Sequence, residues 1–255
     1  MPIVTLTSDF GLTDYYVAMI KGALLSQNQN LNIVDISHNV KTYDIVQGAF
    51  VLKNAYSSFP KETVHILSIN NYYNKKNCFL AVRYDGHYFI GPDNGIFSLL
   101  FDEKPEAIYE LEYDDKSDFP LKSIYSKAIG HIFNGLPFNE IGIKVDEIEE
   151  RISFQPVINK AQIRGTVIHI DHYENVIVNI TKDLFDQVHD KRKFSIFFKR
   201  FDPIGKISTN YSDVAIGKRL CFFNSAGCLE IAINMGKASS MLGLNIDDSV
   251  QIDFQ

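Results

Sequence analysis

Short apolar runs and helix-spaced apolar residues alternate along the first 150 or so residues. Residues 3–7 form an apolar run that ends in a polar turn, and residues 31–36 and 64–69 repeat the pattern. Runs of this length, bounded by turn residues, predict strands. Between them Val17, Ile20, Leu24 and Leu25 recur at helical spacing behind Asp14, a candidate N-cap. Ile45, Ala49 and Leu52 do the same behind Thr42, with Val46 and Phe50 beside that face. Residues 78–84 and 87–90 predict a hairpin around Asp85-Gly86. Gly91-Pro92-Asp93-Asn94-Gly95 is dense in turn residues. A helix is expected to start at Pro120, a favoured first helical position, and to stop near Gly135. Such alternation predicts an α/β layer with a largely parallel sheet.

Past residue 155 the pattern changes. Residues 162–171, 175–181, 194–200, 218–224, 228–234 and 249–254 read as strands. Turns such as His172-Tyr173-Glu174 and Asn224-Ser225-Ala226-Gly227 separate them, and one short helix fits at residues 238–242. Many short strands at this spacing predict a small barrel or sandwich. The expected organisation is one domain over residues 1–155 and a second over 156–255, with the boundary near Gln155-Pro156.

Composition adds exclusions. The formal charge of −6 lacks the basic footprint of a nucleic-acid binder, and the run Lys191-Arg192-Lys193 is too short to supply one. Cys78, Cys221 and Cys228 are odd in number and have no metal-type spacing, so they read as small buried hydrophobes. A reducing compartment fits. The N-terminus has no basic leader segment and no run of 18 apolar residues exists, so the expected location is the cytoplasm and no membrane partner is expected.

Three polar clusters follow strands, where open α/β sheets bind ligands. The first is Ser8-Asp9-Phe10-Gly11 with Asp14. A carboxylate there can accept from both hydroxyls of a ribose, although from composition alone Asp9 and Asp14 read first as helix caps. The second is Asp35-Ile36-Ser37-His38, whose lone histidine reads as structural before it reads as a base. The third is the stretch 70–77, rich in asparagine, tyrosine and lysine; it reads equally as a ligand-facing loop and as an exposed loop without function. The sequence has no G-x-S-x-G elbow, no phosphate loop, no H-E-x-x-H and no G-x-G-x-x-G. His169, Asp171 and His172 lack a third ligand on one face, so no metal is expected.

Taken in order, several segments resemble the S-adenosyl-L-methionine hydroxide adenosyltransferases, the group that also contains the fluorinase and chlorinase. They are Thr7-Ser8-Asp9-Phe10-Gly11 with Asp14 and Lys21-Gly22, Asp35-Ile36-Ser37-His38, the Gly-Pro-Asp-Asn-Gly that ends at Gly95, and His131-Ile132-Phe133-Asn134-Gly135. The set continues with Ile170-Asp171-His172, Asn175, Asn179-Ile180, and Asn224-Ser225 with Glu230-Ile231-Ala232. The resemblance implies an N-terminal α/β domain, a C-terminal antiparallel β-barrel, and a homotrimer with sites between subunits. It implies attack on the ribose C5′ of S-adenosylmethionine without a cofactor or metal, because the sulfonium is already a good leaving group. By the same correspondence Asp9 binds the ribose hydroxyls and Asp14 the methionine ammonium. Tyr43 lies against the ligand, Phe119 near the ribose, and Tyr211 stacks on adenine. Asn175 bonds the purine edge and Ser225 the methionine end.

The departures from the family pattern concern water. The hydroxide adenosyltransferases carry an Asp, an Arg and a His that orient and activate it; Asn70, Asn77 and Pro120 stand in those places. None accepts a proton at neutral pH, and loss of such a group removes roughly 10²–10⁴ of rate. Asn70 and Asn77 are left as water-orienting candidates, with Tyr72, Tyr73, Lys75 and Lys76 as nearby substitutes. Leu121 stands where the halogenases have a Ser or Gly, and Ala226 and Ile233 replace their C-terminal arginines, which argues against halide chemistry. Two functions follow: hydrolysis of S-adenosylmethionine to adenosine and methionine, weak or altered, or a non-catalytic nucleoside-binding relative.

Overall fold

β1 (Ile3–Ser8) is the strand around which the N-terminal sheet is built. In this computed structural model, which describes residues 2–72, 77–112, 118–152 and 154–255, β1 pairs in parallel with β2 (Asn32–Ser37) and β3 (Val64–Ser68). β3 pairs in parallel with β5 (His87–Pro92). Beyond it β4 (Phe79–Tyr84), β6 (Ala107–Glu110) and the short β7 (Ile143–Lys144) join antiparallel, giving the order β2-β1-β3-β5-β4-β6-β7. The sheet is therefore mixed, with its parallel half at the N-terminal strands. The expected hairpin is present, and both Asp85 and Gly86 adopt the left-handed conformation that such turns require.

Helices cover both faces. α1 (Tyr16–Gln27) and α4 (Pro120–Phe133) share the core of Val4, Leu6 and Ile66. α2 (Ile45–Lys53) and α3 (Ile96–Leu100) share that of Leu67, Ile69 and Phe89. Neighbours Ile66 and Leu67 enter different cores because successive strand residues point to opposite faces. Pro120 is the first residue of α4, as expected.

Both expected N-caps are corrected. Tyr15 precedes α1 without any side-chain cap, and the first helical bond runs from the Met19 N–H to the Tyr15 carbonyl, one residue past Asp14. For α2 the cap is Asp44, which accepts from the Gln47 N–H at 2.9 Å. Tyr43 has φ +66°, so the helix cannot run back to Thr42. Leu25 is exposed, because its neighbour Leu24 takes the position facing the sheet.

The chain divides into two compact units, Met1–Ile152 and Ser153–Gln255. In the second, every pairing is antiparallel. β9 (Gln162–Ile170), β10 (Val176–Thr181), β11 (Phe194–Phe198), β12 (Arg219–Phe223), β13 (Cys228–Ile233) and β14 (Ser249–Phe254) follow the order β11-β14-β9-β10-β13-β12. β8 (Val157–Asn159) pairs with β9. Register shifts in β10 bend the sheet, and it curls as a half-barrel around Val167, Val178, Leu229, Ile231 and Ile252. The helix expected at residues 238–242 is α6 (Ala238–Leu242). One helix went unread: α5 (Lys182–His189), capped by Thr181 Oγ1 accepting from the Leu184 N–H, with Phe185 buried and Leu184 and Val188 packed beside it. Among the described residues no helix is long and apolar enough to cross a membrane.

Candidate functional site

The strand order β2-β1-β3 means that the chain leaves β1 in one direction and later returns across it. In open α/β sheets the crevice at the carboxyl ends of the two strands flanking such a reversal is the usual ligand site. Asp9 directly follows β1, and Asn70 follows β3. A register shift between Leu6 and Thr7 re-aims the end of β1.

Asp9 is a hub. Its Oδ2 accepts from the Tyr43 N–H at 2.9 Å and the Asn70 N–H at 3.3 Å. Its Oδ1 has no partner among the described residues and the side chain is half-buried. Both donors lie in the left-handed region, Tyr43 at φ +66° and Asn70 at φ +50°. Asparagine tolerates that conformation; for a bulky tyrosine it is an outlier of the kind held at functional sites. Asn70 is fixed from behind by Asn94, which is 1% exposed. The Asn94 amide donates to the Ile69 and Asn70 carbonyls at 2.9 and 3.0 Å, and its oxygen accepts from the Ile96 N–H. Asn94→Ala should therefore lower unfolding stability by about 2 kcal/mol, measured by urea titration; an unchanged midpoint would contradict this role.

The turn after Asp9 is held by His38. Gly11, at φ +69°, donates its N–H to the His38 carbonyl at 2.7 Å. The His38 ring is buried between Ser8 Oγ, 2.7 Å from Nδ1, and Asp35 Oδ1, 3.0 Å from Nε2. The nearby Asp35 carboxylate can only accept, which favours the tautomer with the proton on Nε2, although the Nε2 contact lacks hydrogen-bond geometry; in that tautomer Nδ1 accepts from Ser8. Although partial burial opposes it, Lys21 at 2.6 Å, with His38, holds Asp35 below the ordinary carboxylate range. This Ser-His-Asp set is no hydrolase triad: Ser8 is 3% exposed, so no substrate carbon reaches its oxygen. His38 is structural, as its isolated place in the sequence suggested.

Aromatic rings line the same end. Tyr16 packs between Phe10 and Phe119, with centroids 5.8 and 5.7 Å away. Asp14 is exposed and caps no helix. Tyr43 is exposed. Asn77 is half-buried just before β4, whereas Tyr73, Lys75 and Lys76 lie outside the described residues. Leu121 is buried in the core with Ile124 and Tyr125. Tyr125 bonds Ser68 Oγ at 2.9 Å and Asn71 Oδ1 at 3.2 Å, pinning the residue after Asn70; burial pushes its phenol well above the usual range.

In the second unit Asn175 and Tyr211 come together in one network. The Asn175 amide nitrogen donates to Asp171 Oδ2 at 3.0 Å and to the Tyr211 hydroxyl at 3.1 Å. Tyr211 donates to Glu230 Oε1 at 2.8 Å, and Asn224 donates to Glu230 Oε2 at 3.1 Å. Asn224 also builds the hairpin turn whose exposed tip is Ser225. Burial raises the Glu230 pKa, against the lowering effect of its two hydrogen bonds, and burial also raises that of Tyr211. Sequence reasoning gave Asp171, Glu230 and Asn94 no role. The available signal was a glutamate inside the apolar strand Cys228-Leu229-Glu230-Ile231-Ala232, since carboxylates are rarely buried unless paired.

Comparison with known proteins matches both units. The model of the SAM hydroxide adenosyltransferase N-terminal domain matches residues 4–142, and that of the C-terminal domain residues 165–251. The chain is 29% identical to an (R)-S-adenosyl-L-methionine hydrolase of Methanocaldococcus jannaschii, over 99% of this chain and 96% of that protein. It is 26% identical to one of Thermus thermophilus, over 93% and 94%, and 24% identical to a fluorinase of Actinopolyspora mzabensis, over 98% and 97%. A crystal structure of a conserved Thermotoga maritima protein superposes with a TM-score of 0.87 at 27% identity, covering 98% of this chain and 99% of that one. With both domains matched in order along nearly its whole length, the chain belongs to the SAM hydroxide adenosyltransferase family.

Proposed function

We propose that this protein binds S-adenosyl-L-methionine and cleaves it at the ribose C5′ with water, releasing adenosine and methionine. The observation that carries this is Asp9 at the β1/β3 crevice: one oxygen is spent on two backbone N–H groups and the other is left for ligand hydroxyls. Water oxygen bonds to C5′ as the C5′–S bond breaks, sulfur keeps the electron pair, and one water proton leaves to solvent. Asp9 holds the ribose and Asp14 the methionine ammonium. Tyr43 and Phe119 flank the sugar. Asn175 and Tyr211 take the adenine, and Ser225 the methionine end. Asn70 and Asn77 orient the water. The assembly is a trimer in which these two residue sets come from neighbouring subunits, and its location is the cytoplasm. Membership of a family whose relatives are named hydrolases and fluorinases supports the reading.

Incubation with each sulfonium epimer of S-adenosylmethionine, followed by chromatography, is expected to yield adenosine in proportion to protein, with the (R) form the better substrate. No adenosine above the uncatalysed background, from either epimer, would refute hydrolysis. A specific observation supports a second reading: Asn70, Asn77 and Pro120 stand where the family's water-handling Asp, Arg and His are expected. Tight binding of S-adenosylmethionine without turnover is what a non-catalytic relative would give.

A further inference from the structure

The network around Asn175 has a direction. Asn175 is 4% exposed and Glu230 5%. Asn224 donates to one Glu230 oxygen, so the other must accept the single Tyr211 hydroxyl hydrogen. Tyr211 is left with lone pairs to offer and accepts from the Asn175 amide. On its other side that same amide nitrogen faces Asp171 Oδ2, an atom that can only accept, while Asp171 Oδ1 accepts from the Asn175 backbone N–H at 2.8 Å. Two carboxylates at the ends of the chain thus dictate which way every hydrogen points. Both amide hydrogens of Asn175 are consumed, and Oδ1 has no partner among the described residues.

We propose that Asp171 and Glu230 act as positioning residues that hold the Asn175 amide oxygen outward, so that this unit accepts a purine 6-amino group and rejects a 6-oxo group. The inference rests on the nucleoside-binding reading above and deepens it: the site selects adenosine over inosine by the polarity of one amide. An outward acceptor bonds the exocyclic amine. The carbonyl of a 6-oxopurine would meet it lone pair to lone pair.

The chain of donors can also be inverted. In Asp171→Asn, the new amide keeps the backbone bond through its oxygen and turns its NH₂ toward Asn175. In Glu230→Gln, the oxygen still accepts from Asn224 and the NH₂ donates to Tyr211. With both changes Tyr211 donates to Asn175, whose oxygen then faces inward and whose NH₂ faces outward. The three side-chain bonds that link residues 171, 175, 211 and 230 are retained with their direction reversed, those from the Asn175 N–H and from Asn224 keep theirs, and the side-chain volumes hardly change.

Calorimetry of the full-length protein with adenosine and inosine tests this. The wild type should bind adenosine about ten- to a hundredfold tighter, the range expected when a buried acceptor is left unsatisfied. Each single variant should narrow the ratio, and D171N/E230Q should prefer inosine. A merely structural role would weaken both nucleosides alike and leave the ratio fixed. Wild-type binding of the two with equal affinity overturns the inference while the nucleoside reading stands; so does a folded double variant that keeps the wild-type ratio. Binding of neither nucleoside to the wild type overturns both. Circular dichroism establishes the fold of each variant, and should the double variant unfold, wild-type discrimination still decides.

Discussion

Asp9→Ala is expected to weaken adenosine binding about a hundredfold or more. The carboxylate offers one ionised oxygen to the ribose hydroxyls, and charge-assisted hydrogen bonds contribute roughly 1.5–3 kcal/mol each. Loss of two such bonds is worth at least about two decades of affinity. The same substitution strips the acceptor from the Tyr43 and Asn70 N–H groups, whose left-handed backbones it helps to hold. Affinity would then fall through local disorder as well as through lost contact. Asp9→Asn separates the two. Its oxygen can replace Oδ2 toward both N–H groups, so the thermal midpoint should stay near that of the wild type. Its NH₂ then faces the ribose without charge, and affinity should fall about tenfold. Calorimetry beside a thermal melt reads both quantities; wild-type affinity in Asp9→Asn would remove Asp9 from the ribose site.

That hub explains why part of the site was legible in the sequence and part was not. Ser8-Asp9-Phe10-Gly11 reads as a strand end whose carboxylate is first a helix-cap candidate, because an apolar run and a turn glycine are local signals. What spends one Asp9 oxygen comes from residues 34 and 61 positions away. The donors are backbone groups, which carry no residue signature. The misplaced Thr42 cap has the same origin. Thr42 is a good cap by composition, but the left-handed Tyr43 lies between it and the helix, with its N–H tied to Asp9, a contact the local sequence does not show. In the second unit the strands were readable from their alternation. The direction of the Asn175 network was not, since it depends on Glu230 and Asp171 meeting through Tyr211. Helix α5 was readable and missed: Thr181, Asp183 and the Leu184, Phe185 and Val188 spacing form an ordinary cap and apolar face, obscured by strands on both sides.

Away from the site, a buried histidine pair is expected to make the fold sensitive to acid. Thr5, His65 and His87 are all fully buried. Thr5 Oγ1 lies 2.7 Å from His65 Nδ1, and His65 Nε2 lies 3.2 Å from His87 Nδ1. The His65 ring stacks on Phe89 at 5.0 Å and meets Phe59 edge-on. Burial, reinforced by the neighbouring His87, pushes the His65 pKa down from 6.5 to about 3. Burial, reinforced by Lys61, lowers that of His87, against the opposing pull of Asp85 and Glu62. The native ring thus resists a proton that the unfolded chain accepts below about pH 6.5. Between those two values the unfolded state binds more protons, so stability rises with pH there and is lost on acidification. A depression of this size corresponds to roughly 5 kcal/mol by pH 3, comparable to the whole stability of many domains. Urea titrations at pH 7, 5.5 and 4.5 should therefore show a steep fall in unfolding free energy. His65→Phe keeps the ring stack but cannot titrate. It should be less stable than the wild type at pH 7, where Thr5 and His87 lose their partner, and the two curves should converge as the pH falls. Parallel curves from pH 7 to 4.5 would show that the acid lability lies in other groups.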